Sequence, residues 1–339
     1  ADLPSPVLSS AADPDSLCDL SIVIVHWNVV DLLVACLQSI ETASRSLGPG
    51  TSLRSFGPVD QAGTLEVIVV DSASSDDVAT RISTRFPWVH LIVSETNLGF
   101  TAGNNLGYGA SSGRFVYFLN PDTEIVKDET GSDSLWTLYA AVRSDETIGI
   151  AGPQLRYADG TVQSSRRRFP TRLTGFLEST WLGTALPVNP WSKRMHMDDR
   201  KISGSHDGDW CDVDWIVGAA MLARRQALEQ VRMPQYAGPF DEGFFMYSEE
   251  SDLCLRIKSA GWSVRYVPKS TIIHYEGRSS EQVVAARHIH FNTSKVRYYR
   301  KHFGPGWSEA LRRYLMFEFR VQIWIERAKL RLGSKPELR

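Results

Sequence analysis

Hydrophobic positions along the chain follow two different periods. LSIVIVHW (20 to 27) is a near-continuous β-branched run, as expected of a strand buried on both faces, and the DLLVACLQSIETA that follows spaces its apolar residues as a helix does. The unit then repeats. LEVIVVD (65 to 71) reads as a second strand, DDVATRISTRF as a helix, VHLIVSE as a third strand, TAGNNLGYGASSG as a small-residue helix and RFVYFLN (114 to 120) as a fourth strand. This alternation predicts an α/β fold with a mostly parallel sheet flanked by helices, right-handed at each crossover. SRSLGPGTSLRSFGPVDQAG, between the first helix and the second strand, is rich in Gly, Ser and Pro and predicts a surface loop. Further on, FMYSEESDLCLR (245 to 256) begins a helix: Ser248 suits the N-cap, Glu249 and Glu250 complement the dipole, and Leu253, Ile257 and Ala260 continue one face until Gly261. From Ser308, SEALRRYLMFEFRVQIWIERAKLRL sets Leu311, Leu315, Phe319 and Ile323 among Arg and Lys, the pattern of an amphipathic helix. It fits either packing on the rest of the chain or docking on an anionic membrane surface, where Trp324 and the basic residues would suit the interface.

Polar residues gather where the strands end. Asn28 follows the first, Asp71 closes the second, Asn97 follows the third, and Asn120 with Asp122 follow the fourth. Each alone is an ordinary turn residue. Together they mark one crevice, because ligands of open α/β sheets bind outside the carboxyl ends of the strands. There is no GxxxxGK[ST], and HWNVVD rather than GxGxxG follows the first strand, so neither a P-loop nor a dinucleotide fingerprint is present. Asp122, on a Pro-fixed turn, is suited to hold a Mg²⁺ or Mn²⁺ that neutralises a diphosphate. The acids at 249 to 252 divide at about 100° per residue: Glu249 and Asp252 fall nearly on one side and Glu250 on another, so the three do not share one role.

Composition narrows the partners. With 42% hydrophobic and 22% charged residues the chain is ordinary globular material, and a net charge of −2 gives no field for nucleic acid, although 13 Lys/Arg face four Asp/Glu from Ala285 onward. Cys18, Cys36, Cys211 and Cys254 lie far apart without CxxC spacing, which points to a reducing compartment. ADLPSPVLSSAADPDSL at the start reads as a disordered leader over 1–19 without the basic region of a signal peptide, and no stretch is apolar enough to span a membrane. The expected location is cytoplasmic. Residues 175 to 210 lack periodicity and read as a surface excursion or an acceptor-side loop, with His196 and His206 more consistent with solvated side chains than metal ligands.

In order along the chain, SIVIVHWN, VIVVDSASSD, NLGFTAGNN, FLNPDTEI, WIVGAAMLARR, FDEGFFMYSEESDLCLRIKSAGW and VPKSTIIHYEG resemble the family 2 inverting glycosyltransferases, more narrowly their bacterial rhamnosyltransferase-like members, from about Leu20 to Arg300. The resemblance implies a GT-A (Rossmann-like) fold. It implies a catalytic domain over 20–300, with a nucleotide-binding half at 20–125 and an acceptor half at 126–300, followed by a C-terminal helical segment at 301–339. It implies further that Asp71 contacts the donor's base or ribose, that Asn28, Asn97, Gly99, Asn104 and Asn120 belong to the donor pocket, and that Asn120 to Asp122 occupy the place of the DxD metal motif. His274 resembles the histidine that returns to the same Mg²⁺ or Mn²⁺. Glu250 stands where the family more often has Asp, as the base that deprotonates the acceptor hydroxyl, with Glu249 and Asp252 beside it. The donor is then a nucleotide sugar, dTDP-rhamnose first and UDP- or GDP-sugars after it, and the acceptor a glycan or a lipid-linked sugar. A sugar-nucleotide nucleotidyltransferase and a non-catalytic relative that binds nucleotide or glycan are the alternatives.

Overall fold

A computed structural model of the chain describes residues 18–127, 133–178, 180–184, 190–197, 210–275 and 284–331; residues 1–17 of the expected leader and His206 lie outside them, while its last two, Cys18 and Asp19, pack on the fold, Cys18 buried and Asp19 accepting from Thr64 N at 2.8 Å. The alternation read from the sequence is present. Strands Leu20–His26, Gly63–Ser72, His90–Ser94 and Phe115–Leu119 are separated by helices Val30–Thr42, Val78–Arg85 and Gly99–Gly109. Strand 20–26 pairs in parallel with 63–72 on one side and 115–119 on the other, and 63–72 pairs in parallel with 90–94. All four carboxyl ends therefore lie on one edge. Apolar side chains from both faces of this sheet fill the two main cores, with Ile22, Ile24, Val67 and Val69 in one and Val23, Val116 and Phe118 in the other.

Beyond strand 115–119 the sheet becomes mixed. Ala220–Arg224 runs antiparallel to 115–119 and to Ile148–Arg156, and Ser263–His274 then pairs in parallel with 148–156. The last turn of strand 263–274 also meets the short strand Thr123–Ile125, with His274 opposite Thr123. That pairing carries His274 back to the NPD turn.

The Gly/Pro-rich insertion differs from the loop expectation. Ser44–Ser46 and Arg54–Phe56 form an antiparallel pair that extends the sheet from strand 63–72. The driving force is aromatic burial: Phe56 packs edge-on against Tyr139 at 4.9 Å, and the Arg54 guanidinium lies 4.5 Å over the Trp88 ring while donating to Ser44.

Helix 99–109 is small because it lies close to the sheet. A Cβ on Gly103 would sit 2.8 Å from Val25, and one on Gly107 would overlap Val23. At the C-terminal end, helix Val284–His302 crosses the expected 300/301 boundary and turns at Gly304 (φ 91°) into helix Pro305–Arg331. Tyr298, Tyr299, Leu311 and Leu315 form a third core with Phe244, so the C-terminal helices are built onto the catalytic segment.

Gly107→Ala should lower stability by about 1–3 kcal/mol through overpacking against Val23. The urea midpoint would show it, and an unchanged midpoint would mean that the helix stands further off the sheet than described.

Candidate active site

The residues at the shared strand edge hold one another. Asn28 adopts a left-handed φ of 52°, its N–H donates to Ser74 Oγ at 3.0 Å, and its Oδ1 accepts from Ser75 N at 2.7 Å. Asp71 accepts from Ser74 N at 3.3 Å through Oδ1, and its Oδ2 has no partner among the described residues. Asp76, which the sequence reading passed over, bonds buried His26 at 3.2 Å and accepts from Val30 N at 3.1 Å, satisfying a helix start that has no cap of its own. Burial lowers the His26 pKa against the pull of Asp76, so the ring is neutral at pH 7.

Asn97 Oδ1 accepts from Ser72 Oγ and from Gly99 N, closing the turn into helix 99–109. Gly99 (φ 71°) leaves no room for a Cβ beneath Phe245, and Asn104, 2% exposed, donates back to the Phe100 carbonyl at 2.9 Å. Packing thus fixes Gly99, and the helix's own carbonyl fixes the Asn104 amide, at the helix start beside the strand edge. Their neighbour Asn105 ties the helix to the acidic segment, donating to Phe240 O and Glu242 and accepting from Phe240 N.

Asp122 and His274 do meet, as expected, with Nε2 3.5 Å from Oδ1 and both side chains buried. On its other side, His274 Nδ1 lies 2.9 Å from Gln163 Oε1. That oxygen can only accept, so Nδ1 donates to it, and Nε2 is left turned to the Asp122 carboxylate, where the two side chains could hold a cation together. Among the described residues no third His, Cys, Asp or Glu joins the pair, so the remaining positions would fall to water and a ligand's oxygens. The Asn120 side chain makes no hydrogen bond to a described residue, while its N–H donates to the Ala219 carbonyl at 2.8 Å.

The acidic helix is Glu249–Ser259, ending before Gly261 (φ 95°) as expected. Ser248 does not cap it. Tyr247 and Ser248 are both left-handed, at φ 71° and 68°, and Ser248 gives no side-chain bond to the helix. Two such residues in succession cost about 1–3 kcal/mol each, and the neighbours hold them there. Phe245 O accepts from Phe100 N and Met246 O from Ser294 Oγ, while the Phe245 ring stacks on His290 at 4.4 Å. The first turn is thereby held between helices 99–109 and 284–302.

The three acids separate as the helical angle predicts. Asp252 is fully buried, bonding Arg256 at 2.9 Å, Lys301 at 2.7 Å and His302 at 2.8 Å. Burial alone would raise its pKa, but His302, Arg256 and Lys301 outweigh it and hold the carboxyl at about 2. Asp252 is thus an anion paired with three cationic side chains. Glu249 and Glu250 each keep a buried Oε2 without a partner among the described residues. Burial, then the Glu250 charge, pushes Glu249 well above its ordinary 4.5. Burial raises Glu250 to about 7, against its own N–H, the Arg167 charge and the Gly218 N–H. A carboxyl near 7 with a free oxygen can take up a proton at neutral pH.

Two contributors escaped the sequence reading. Gly218 places its N–H on Glu250 while its neighbour Ala219 accepts from Asn120, so WIVGAAM joins the acidic turn to the NPD turn. Arg167, in the strand pair Arg166–Arg167 with Trp215–Ile216, directs positive charge at Glu250. The only hint of it was RRR at 166 to 168. In the excursion, Thr174–Leu177, Trp181–Thr184 and Pro190–His196 are short helices, and among the described residues His196 joins no metal cluster.

Comparison with known proteins adds a family. The family model described as Glycosyl transferase family 2 matches residues 21–199, more than half of the chain. The N-acetylglucosaminyl-diphospho-decaprenol L-rhamnosyltransferase of Mycobacterium tuberculosis is 31% identical over 239 residues, covering 66% of this chain and 72% of that protein. Rhamnosyltransferase WbbL of Escherichia coli K12 is 31% identical over 195 residues, 52% of this chain and 61% of its own. A crystal structure of GalNAc-T7 with UDP, GalNAc and Mn²⁺ aligns at 16% identity over 77% of this chain and 44% of that one, with a TM-score of 0.49.

The Asp252 cluster predicts a pH signature. A carboxyl held at about 2 rather than 3.8 contributes stability that is present above the higher value and lost as pH falls toward 2. Asp252→Ala should cost about 3 kcal/mol at pH 7 because Lys301 and Arg256 lose their counter-charge. Its deficit in urea denaturation should shrink below pH 4; a deficit independent of pH would point to packing instead.

Proposed function

Because the chain belongs to glycosyl transferase family 2, we propose that it is an inverting rhamnosyltransferase, moving L-rhamnose from dTDP-rhamnose to a glycan or lipid-linked sugar in cell-surface polysaccharide synthesis. The observation that carries the reaction type is Glu250: a buried carboxyl with a free oxygen, raised to about 7 and linked through Gly218–Ala219 to the NPD turn. The two rhamnosyltransferases at 31% identity support the sugar, and the lipid diphosphate named for the mycobacterial relative supports the acceptor class.

In this reading the nucleotide lies across the strand edge, with Asp71 Oδ2 and the Asn120 side chain available to it. Asp122 and His274 would hold the Mg²⁺ or Mn²⁺, with Gln163 fixing the imidazole so that Nε2 faces the ion. Bound there, the cation supplies positive charge against the departing diphosphate. Glu250 takes the proton of the acceptor hydroxyl as that oxygen attacks the anomeric carbon from the face opposite the leaving group, and the configuration inverts. Burial and its neighbour's charge both favour the protonated form of Glu249, which lessens the negative charge beside Glu250. No described helix is long and apolar enough to cross a membrane.

Two experiments test the reading. Glu250→Gln should lower kcat by two or more orders of magnitude with donor binding intact, and the wild-type rate should rise with pH through about 7. Because a carboxyl raised from 4.5 to about 7 contributes stability that is present below the lower value and lost as pH rises to the higher one, the same variant should be more heat-stable than wild type at pH 8 and alike at pH 4. Near-wild-type turnover in Glu250→Gln would remove Glu250 as the base. In the second, dTDP with Mn²⁺ at about 100 times its Kd should stabilise the protein by roughly 2.7 kcal/mol, more than UDP or GDP. Asp122→Ala should abolish the metal-dependent part; a shift indifferent to metal would separate Asp122 from it. A donor that binds without turnover on lipid-linked or free glycan acceptors would favour the non-catalytic alternative.

A further inference from the structure

Helix 305–331 packs against the protein for only half its length. Leu311, Leu315 and Glu318 are buried, and Glu318 receives the Trp181 N–H at 2.6 Å. From Phe317 onward the large side chains turn outward: Phe317 is 58% exposed, Phe319 40%, Ile323 51% and Trp324 71%. Large exposed apolar groups in succession are unusual on a monomer and mark an interaction surface.

Charge identifies the partner. Arg313, Arg320 and Arg327 recur every seven residues, which at about 100° per residue keeps them in one row roughly opposite Leu311 and Leu315. Met316 and Ile323 run along one side of that row, Phe317 and Trp324 along the other. Arg320, Arg327 and Arg331 are exposed and have no acidic partner among the described residues. The acid of this distal half, Glu326, is turned to Lys329 at 2.8 Å.

We infer that this face docks in the plane of an anionic lipid bilayer, with the Phe, Ile and Trp side chains among the acyl chains and the arginine row on lipid phosphates. A second copy of the chain fits worse, because a two-fold interface sets the same patch against itself and would oppose arginine row to arginine row. An anionic bilayer offers apolar depth and negative charge together, and long cationic side chains reach phosphate while their stems stay in the apolar layer. With no described helix able to cross a membrane, the contact lies on the surface and does not span it.

The test uses the full chain without donor or acceptor, so its outcome is independent of the transfer reading. The protein should float with vesicles of equimolar phosphatidylcholine and phosphatidylglycerol, and should stay in solution with phosphatidylcholine alone. Arg320→Glu with Arg327→Glu and Arg331→Glu should weaken vesicle binding by roughly 100-fold or more, given the contribution of each basic residue near an anionic surface. Phe319→Ser with Ile323→Ser and Trp324→Ser should release the protein as well. All six positions are exposed, so an unchanged melting temperature serves as the control for folding. Absence of flotation, equal flotation with both vesicles, or undiminished flotation of the arginine variant would each overturn the inference. A doubled solution mass that reverts in the apolar variant, without flotation, would overturn it and assign the face to a second copy.

Discussion

Lys301 holds two buried carboxylates at once, Asp241 at 2.8 Å and Asp252 at 2.7 Å, and the catalytic end of the molecule is arranged around that ammonium. Neither acid could stay ionised in the interior unpaired, since a lone buried charge costs far more than a fold of this size can spare. Arg297 completes Asp241, and Arg256 and His302 complete Asp252. Burial presses the Asp241 pKa upward, yet Lys301, the Gly243 N–H and Arg297 prevail and keep it low. Asp241 precedes the segment that leads to the acidic helix, and Asp252 lies in its first turn. The cation from helix 284–302 therefore fixes both ends of the stretch that carries Glu249 and Glu250.

That fixing accounts for a first turn that would be unstable by itself. Two left-handed residues, two carboxyl oxygens without partners and a proton held above its ordinary affinity all occur within four positions. A helix built only for stability would have a serine cap and solvent-facing acids there. These departures are what the base role proposed for Glu250 requires, and the surrounding bonds to Phe245, Met246 and Asp252 offset the expense. A stability cost concentrated at a reactive group is the pattern expected where activity and stability compete.

The parallel half of the sheet was legible because its burial is two-sided and its helices amphipathic, signals contained within ten residues. The meeting of Asp122 with His274 came from ordered motifs, and the pairing of strand 263–274 with 123–125 brings it about. What escaped depends on partners far along the chain. Arg54 and Phe56 became a strand because Trp88, Trp136 and Tyr139 receive them, and nothing within SRSLGPGTSLRSFGPVDQAG announces those rings. That Asp252, unlike Glu250 beside it, is paired with Lys301 and His302 depends on residues some fifty positions later. Ser248 has the composition of a cap but not its backbone, because the clamp on Phe245 and Met246 sets the angle. Helix 284–302 buries Ser294 and Lys295 with its tyrosines, so its inner face lacks the apolar stripe that periodicity detects.

The distance along the chain between Asp241 and Lys301 also orders events during synthesis. The parallel strands and their helices can pair as soon as residue 119 is free, because their contacts are made among themselves. The acidic helix has to wait for the sixty residues between Asp241 and Lys301 to be made. Domains emerge from the ribosome amino end first, at about 5–20 residues per second. A nascent chain would thus carry a finished strand edge for about 10–35 seconds before its acidic turn was settled, and its assembly ends with the helix that both neutralises Asp252 and leads, through Gly304, into the exposed arginine row.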